Sequence, residues 1–446
     1  MRSKQISLAA AIAVAAGIAS TVALPAAQAG AATTAVALPI AHYSHLLVDP
    51  VHRHLFVSGG SGSTDILVTD YTGQTVATIP NETDANGLAL SADGGTVYAG
   101  LGGTDAVSAI STADLTETAR YATGAGYDPE SVAVSGGKVW FSYNGSAAGS
   151  GGIGSIDPAA GPAAVTLRAT GDSWYDAPLL AGGPNGELVA GWSGVSPASL
   201  ASYDVSGATV RVLKPQTQLD TPDVSSNLRD LAITPDGKDV ITACGAPYAH
   251  QAWKVADLSA DGQYTDATYP DAVAIAADGT VYGGSDDYYG DSVYVFAPGG
   301  YSSAVRSYPL QLDTDLAPAG LAVTPDNTEL FGVTTDVYGN NPTLHVVSDP
   351  AQTASSVNLF PPATAKPKRA LTITGSLGGP SPYTGGQTLT VTRDGVALPA
   401  VTTAADGSFS LTDTPPDTGT VSYQVSYAGD EHLAAAQSTA TVTVQH

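Results

Sequence analysis

The sequence predicts an all-β chain, a seven-bladed β-propeller followed by a small β-sandwich. Three observations carry this. A unit of two short apolar strands joined by a turn bearing Asp, Gly or Asn recurs seven times along residues 45–331. Long amphipathic helical periodicity is absent. From residue 370 onward the pattern changes to alternation of apolar and polar residues.

The first residues read as a secretory signal. Arg2 and Lys4 form a charged start, an apolar run extends from Ile6 to Leu24, and Ala27-Gln28-Ala29 supplies a small-residue cleavage site before Gly30. A membrane anchor is the rival reading of that run. Small residues dominate it and the cleavage site follows at once, so residues 1–29 are expected to be removed and the product exported. Cys244 is the single cysteine, so no intramolecular disulfide is expected. It sits in an apolar stretch, as a buried inert thiol would.

The seven copies place a first strand at residues 46, 88, 132, 178, 231, 273 and 321, anchors that lie 42 to 53 residues apart. Turns such as Ala92-Asp93-Gly94, Pro235-Asp236-Gly237, Ala277-Asp278-Gly279 and Pro325-Asp326-Asn327 link the paired strands, with residues that tolerate positive φ. Further strands such as Ala106–Ile110 and Glu117–Tyr121 complete a four-stranded set. A four-stranded sheet at this spacing is the period of a propeller blade. Runs such as Leu88-Ala89-Leu90 and Val273-Ala274-Ile275 suit strands buried on both faces. Two segments compete to close the ring, Thr34–Leu38 and Ser356–Leu359, and the sequence leaves the choice open. The expected organisation is a propeller over 34–360, a Pro- and Lys-rich linker over 361–369 and a sandwich over 370–446.

Composition narrows the function. Acidic residues number 41 against 16 basic ones, a formal net charge of −25, while 43% of residues are apolar. Large cores can form, and disorder is excluded. A nucleic-acid partner would need a basic stripe, and anionic lipid would need a basic patch. Neither is expected, nor is membrane insertion after signal cleavage. A monomer is expected.

The repeat Gly-x-x-Pro-x-x-Leu/Val-Ala-Val/Ile-x-x-Asp-Gly, with Pro129, Pro270 and Pro318 each three residues before an anchor, resembles the YVTN-type propeller repeat. It is similar to secreted bacterial YncE-like and surface-layer propellers, and more distantly to lactonase-type propellers. The resemblance implies a fold rather than an activity. Val425-Ser426-Tyr427-Ala428-Gly429-Asp430 and the final Thr-Val-Thr-Val strand resemble bacterial Ig-like domains, which implies a spacer or adhesion module. Tyr423 and Tyr427 are expected in its core.

The repeat register nominates a ligand face, because the residues just before each inner strand gather around the axis. Two before the anchors stand Ser44, Asn86, Glu130, Asp176, Arg229, Asp271 and Ala319. Four before stand His42, Asp84, Asp128, Trp174, Asn227, Tyr269 and Ala317. Of these, His42, Asn86, Glu130, Trp174, Asp176, Arg229, Tyr269 and Asp271 are the candidate binding residues. Tyr248, Tyr288, Tyr289 and Tyr338 are expected on the outer rim. Aromatic faces beside carboxylates suit a sugar. Polar residues at a solvated channel mouth would look similar without any ligand.

No residues are nominated as catalytic, and no cofactor or metal is expected. His42, His45, His52 and His54 have metal-like spacings, but one strand should separate them into two pairs. The acidic run 285–291 departs from EF-hand spacing. No G-x-S-x-G, P-loop or H-E-x-x-H motif occurs. The reading is an exported, non-catalytic binding or structural protein with a polysaccharide, peptide or envelope ligand. The alternative is a lactonase- or lyase-like hydrolytic propeller acting at the axis through paired carboxylates.

Overall fold

The computed structural model describes residues 33–446 except residues 195, 220–224, 266–267, 288, 302, 381 and 431. The segment expected to be a secretory signal and Tyr288 therefore lie outside the described residues. The protein consists of seven four-stranded antiparallel sheets followed by a two-sheet unit.

The innermost strands of the seven sheets are His45–Asp49, Ala85–Leu90, Asp128–Ser135, Leu179–Gly182, Ser226–Ile233, Pro270–Ile275 and Asp315–Val323. Each packs on the innermost strand of the next sheet, and the seventh packs on the first. The sheets thus close into a seven-bladed propeller. Apolar layers fill the space between neighbouring blades. Phe56, Ile66 and Val68 of blade 1 meet Leu88, Val97 and Ala99 of blade 2, and equivalent clusters follow around the ring. Burial on both strand faces explains why the inner strands read as continuous apolar runs.

The turns explain the recurring Asp. Asp93 accepts from the Gly95 N–H at 3.0 Å, Asp236 from Lys238 at 3.1 Å, and Asp278 from Thr280 at 2.8 Å. The residue after each Asp has positive φ, 72° at Gly94, 76° at Gly237 and 91° at Gly279. These carboxylates shape hairpins on the face opposite the candidate site.

Thr33–Ala37 closes the ring. It pairs antiparallel with Thr343–Ser348, Ala35 opposite His345, and becomes the outer strand of blade 7. Ser356–Phe360 instead pairs with Leu371–Gly378 in the C-terminal unit. The propeller's last strand therefore ends at Ser348, not at 360. The stretch expected as a linker contains Thr364–Ala365, which pairs in parallel with Thr443–Val444. The segment that joins the two units is 349–355.

The C-terminal unit stacks a three-stranded sheet on a five-stranded one. Ile373, Leu389, Tyr423, Val425 and Val442 are buried between them, and Tyr427 is buried too, as the alternation requires. The Tyr423 hydroxyl donates to Asp413 at 2.7 Å, and Arg393 holds the same carboxylate at 2.8 Å. Cys244 is buried, and burial pushes its thiol up to about 12, so it is chemically inert.

Candidate functional site

The residues before the inner strands do two jobs. One is to fasten neighbouring blades. The Asn144 amide nitrogen donates to Glu130 at 3.2 Å, while its oxygen accepts from the Ala177 N–H of blade 4 at 2.9 Å. The Ser131 hydroxyl accepts from Leu180 N–H at 3.0 Å, and the Asp230 carboxylate accepts from Val273 N–H at 2.8 Å. Ser58 Oγ donates to the Asn86 carbonyl at 2.5 Å. All but the Asn144–Glu130 bond span two blades, so this ring of polar residues is first a clasp.

The second job is electrostatic. Arg229 and Asp271 do come together, with Nε 3.5 Å from the carboxylate. Asp271 is only 5% exposed. Burial raises its pKa to about 7; Arg229 opposes the rise and Asp286, Asp230 and Asp315 add to it. Burial also raises Asp230 to about 7, against two backbone N–H groups that favour the charged form. Across the mouth, burial and then Asp128 raise Glu130 to about 7. Asp128 is itself raised by burial and by the adjacent Asp105 carboxyl. The predicted ring therefore resolves into two carboxylate groups, one on blades 2 and 3, the other on blades 5 to 7.

Tyr43 reaches the blade 5 to 7 group. Its hydroxyl donates to the Ala319 carbonyl of blade 7 at 2.8 Å. Burial, with Asp230 and Asp271 in range, holds the phenol well above its usual pKa. His45 is kept neutral, its pKa lowered to about 4 by burial.

Aromatic side chains stand on the rim. Tyr248 and Tyr269 are 55% and 51% exposed, with ring centroids 4.8 Å apart at 69° and their hydroxyls 3.2 Å apart. Tyr269 adopts φ 43°, a left-handed conformation that costs a non-glycine residue about 1 kcal/mol or more. Its carbonyl accepts from the Asp286 N–H at 3.0 Å, which fixes the tyrosine pair beside the Asp271 group. Exposed Tyr175 pairs with Trp192, centroids 5.8 Å apart. Tyr289 and Tyr338 are exposed as well.

Four nominated residues stand differently. Trp174 is 1% exposed and packs with Trp140, Ile153 and Tyr203 between blades 3 and 4, so it offers no face to a ligand. The cause is a register offset of two. In blade 4 Leu180 opposes Ala190 as Leu88 opposes Ala99 and Val132 opposes Phe141, which makes Leu180 the true equivalent of the anchors. Counting from Leu180, Asp176 takes the outer position, and it is exposed. Asn86 is engaged in the clasp. His42 is exposed beside a small hollow of about 210 Å³ with Ser63 and Asp65. His52 sits at the far end of the strand with Nδ1 2.8 Å from Asp49, so the four histidines do not converge. Among the described residues no group of three or more His, Cys, Asp or Glu is placed to hold a metal ion.

The sequence does not single out Asp230 or Tyr43, and it marks Asp286 only as part of the acidic run 285–291. Asp230 did leave a signal. The position directly before the anchor is Gly87, Ser131, Ala272 and Gly320 in four of the other blades, and His45 and Leu179 in the remaining two, so Asp230 is the one carboxylate at that position. The larger hollow, about 930 Å³, is at the opposite mouth, lined by Leu90, Val134, Ile233 and the hairpin backbones of blades 2 to 5. Its lining also includes Ser91, Asp93, Lys138 and Asn185, while the buried carboxylates gather at the other mouth, which chemistry therefore favours.

Similarity to solved structures agrees with the architecture. The chain resembles Kuenenia stuttgartiensis hydrazine synthase with a TM-score of 0.52 and 18% identity, over 70% of this chain and 97% of that one. It resembles the Cps50 (Swd1) β-propeller domain of Myceliophteria thermophila with a TM-score of 0.51 and 11% identity, over 70% of this chain and 99% of that one. The fold is that of the β-propellers. At these identities the likeness carries fold and no activity. No protein family and no curated protein matches the sequence.

Proposed function

We propose that the protein is an exported binding protein of the YncE-like kind. It works outside the cell or at its surface, as a monomer, with an Ig-like C-terminal unit as spacer. Its ligand is a sugar polymer held at the carboxylate mouth. The observation that carries this is the exposed Tyr248–Tyr269 corner fixed against the Asp271 group. Tyrosine faces stack on sugar C–H surfaces, and carboxylates accept hydroxyl protons. The test is co-sedimentation of the mature chain with insoluble cell-wall and plant polysaccharides, beside Tyr248→Ala/Tyr269→Ala. Retention lost in the folded double variant supports the site. Undiminished retention moves the ligand to another surface, and no retention on any polymer overturns the reading.

A hydrolytic reading rests on one observation, the Glu130 carboxyl raised to about 7 beside Asp128. A group so placed suits general acid work near neutrality. Turnover of a lactone or glycan that is lost in Glu130→Gln would establish it.

A further inference from the structure

The mouth is short of positive charge in a way that points to the ligand. Asp271 and Asp286 face Arg229, the one cation among the described residues that acts on them, and its Nε stands 3.5 Å from Asp271. Asp271 is buried, yet it accepts no hydrogen bond from any described residue. A buried carboxylate without a donor is costly to keep charged. On blades 2 and 3, Glu130 receives one amide N–H, and Asp128 faces Asp105 rather than a cation. Above the first group, two exposed tyrosine rings meet at 69°, a corner whose two π faces are both electron-rich. Such a corner beside carboxylates attracts an ammonium more strongly than a neutral hydroxyl.

Resting on the sugar-binding reading above, we infer that the ligand is an amine-bearing glycan, a polymer of sugars with free amino groups. The sugar ring stacks on Tyr269 or Tyr248. Its ammonium sits against Asp286 and Asp271 and supplies the donors that Asp271 lacks. The second carboxylate group, around Glu130, engages another amine further along the chain. Two separated anionic groups across one mouth fit a polymer with regularly spaced cations better than a single small cation.

Binding of a glucosamine hexamer and of the N-acetylglucosamine hexamer is measured by calorimetry on the mature chain, with a lysine hexamer as a third probe. The glucosamine hexamer should bind about tenfold or more tighter than the acetylated one, and its binding should weaken as salt rises from 50 to 500 mM. Asp286→Asn removes a carboxylate but keeps the backbone bond to Tyr269, and it should cost about tenfold in that affinity. Equal binding of the two sugars overturns the charge assignment and leaves the sugar-binding reading standing. Tighter binding of the lysine hexamer overturns the sugar assignment in favour of a basic peptide. If no hexamer binds while a polysaccharide still retains the protein through Tyr248 and Tyr269, the amine proposal fails alone. If nothing is retained either, both fail.

Discussion

Glu130, Asp230 and Asp271 are each raised to about 7, chiefly by burial. The folded protein therefore keeps protons that the unfolded chain releases near pH 4, the ordinary carboxylate range. The sign follows from linkage. Between about pH 4 and about pH 7 the native state binds more protons, so stability falls as pH rises through that window. Glu130→Gln tests this at one site, since the glutamine oxygen still accepts from Asn144. The variant should match the parent at pH 4.5 and melt about 2 °C or more higher at pH 8, an effect on the order of 1–2 kcal/mol once solvent screening is counted. Parallel melting curves across pH would show that Glu130 is ionised at no cost. Trp174 belongs to the same scale. Its place in the core between blades 3 and 4 gives Trp174→Ala a stability loss of about 3–5 kcal/mol, read as a shift in denaturation midpoint, with no selective effect on binding.

At the scale of strands, the repeat was legible because every blade solves one problem twice. An inner strand buried on both faces must be apolar, and its hairpin must carry a residue that accepts positive φ. Asp93-Gly94 and Asp236-Gly237 answer that need in plain view. In blade 4 the spacing puts the anchor at Pro178, and only the pairing of Leu180 with Ala190 gives the true position. The two-residue slip carried a buried tryptophan onto the supposed ligand face. Asp230 and Asp286 were hidden for a related reason, since their convergence depends on blade rotation rather than on spacing. Closure was equally undecidable, because Thr33–Ala37 and Ser356–Phe360 both alternate and only partners distinguish them. The N-terminal strand now makes a strong prediction. Deleting residues 33–37 should leave Thr343–Ser348 as an unpaired edge, lower the denaturation midpoint and produce oligomers on gel filtration. A monomeric variant with an unchanged midpoint would mean that the ring holds without this strand.

The two units of the molecule are fastened rather than tethered. Arg306 of blade 6 donates to the Gln352 carbonyl, and its guanidinium lies 4.9 Å over the Tyr308 ring. The Gln352 side chain donates to the Asp430 carbonyl at 2.9 Å, and Thr353 N–H to the His432 carbonyl at 2.7 Å. Ala297 of blade 6 is buried in the sandwich core, with Val305 packed against it. A segment so bonded cannot act as a free hinge, and the sandwich projects from blade 6 at a fixed angle. Arg306→Ala removes a charged donor to a carbonyl, a contact worth about 1.5–3 kcal/mol. The variant should be cleaved faster within residues 349–355 by a nonspecific protease, while both units melt as before. Small-angle scattering should show a broader distribution of interparticle distances for the variant than for the parent. Identical cleavage rates and identical scattering would place the rigidity in the Ala297 and Val305 contact instead. Ala297→Asp should then be the substitution that frees the sandwich, because it sets an unpaired carboxylate in an apolar core.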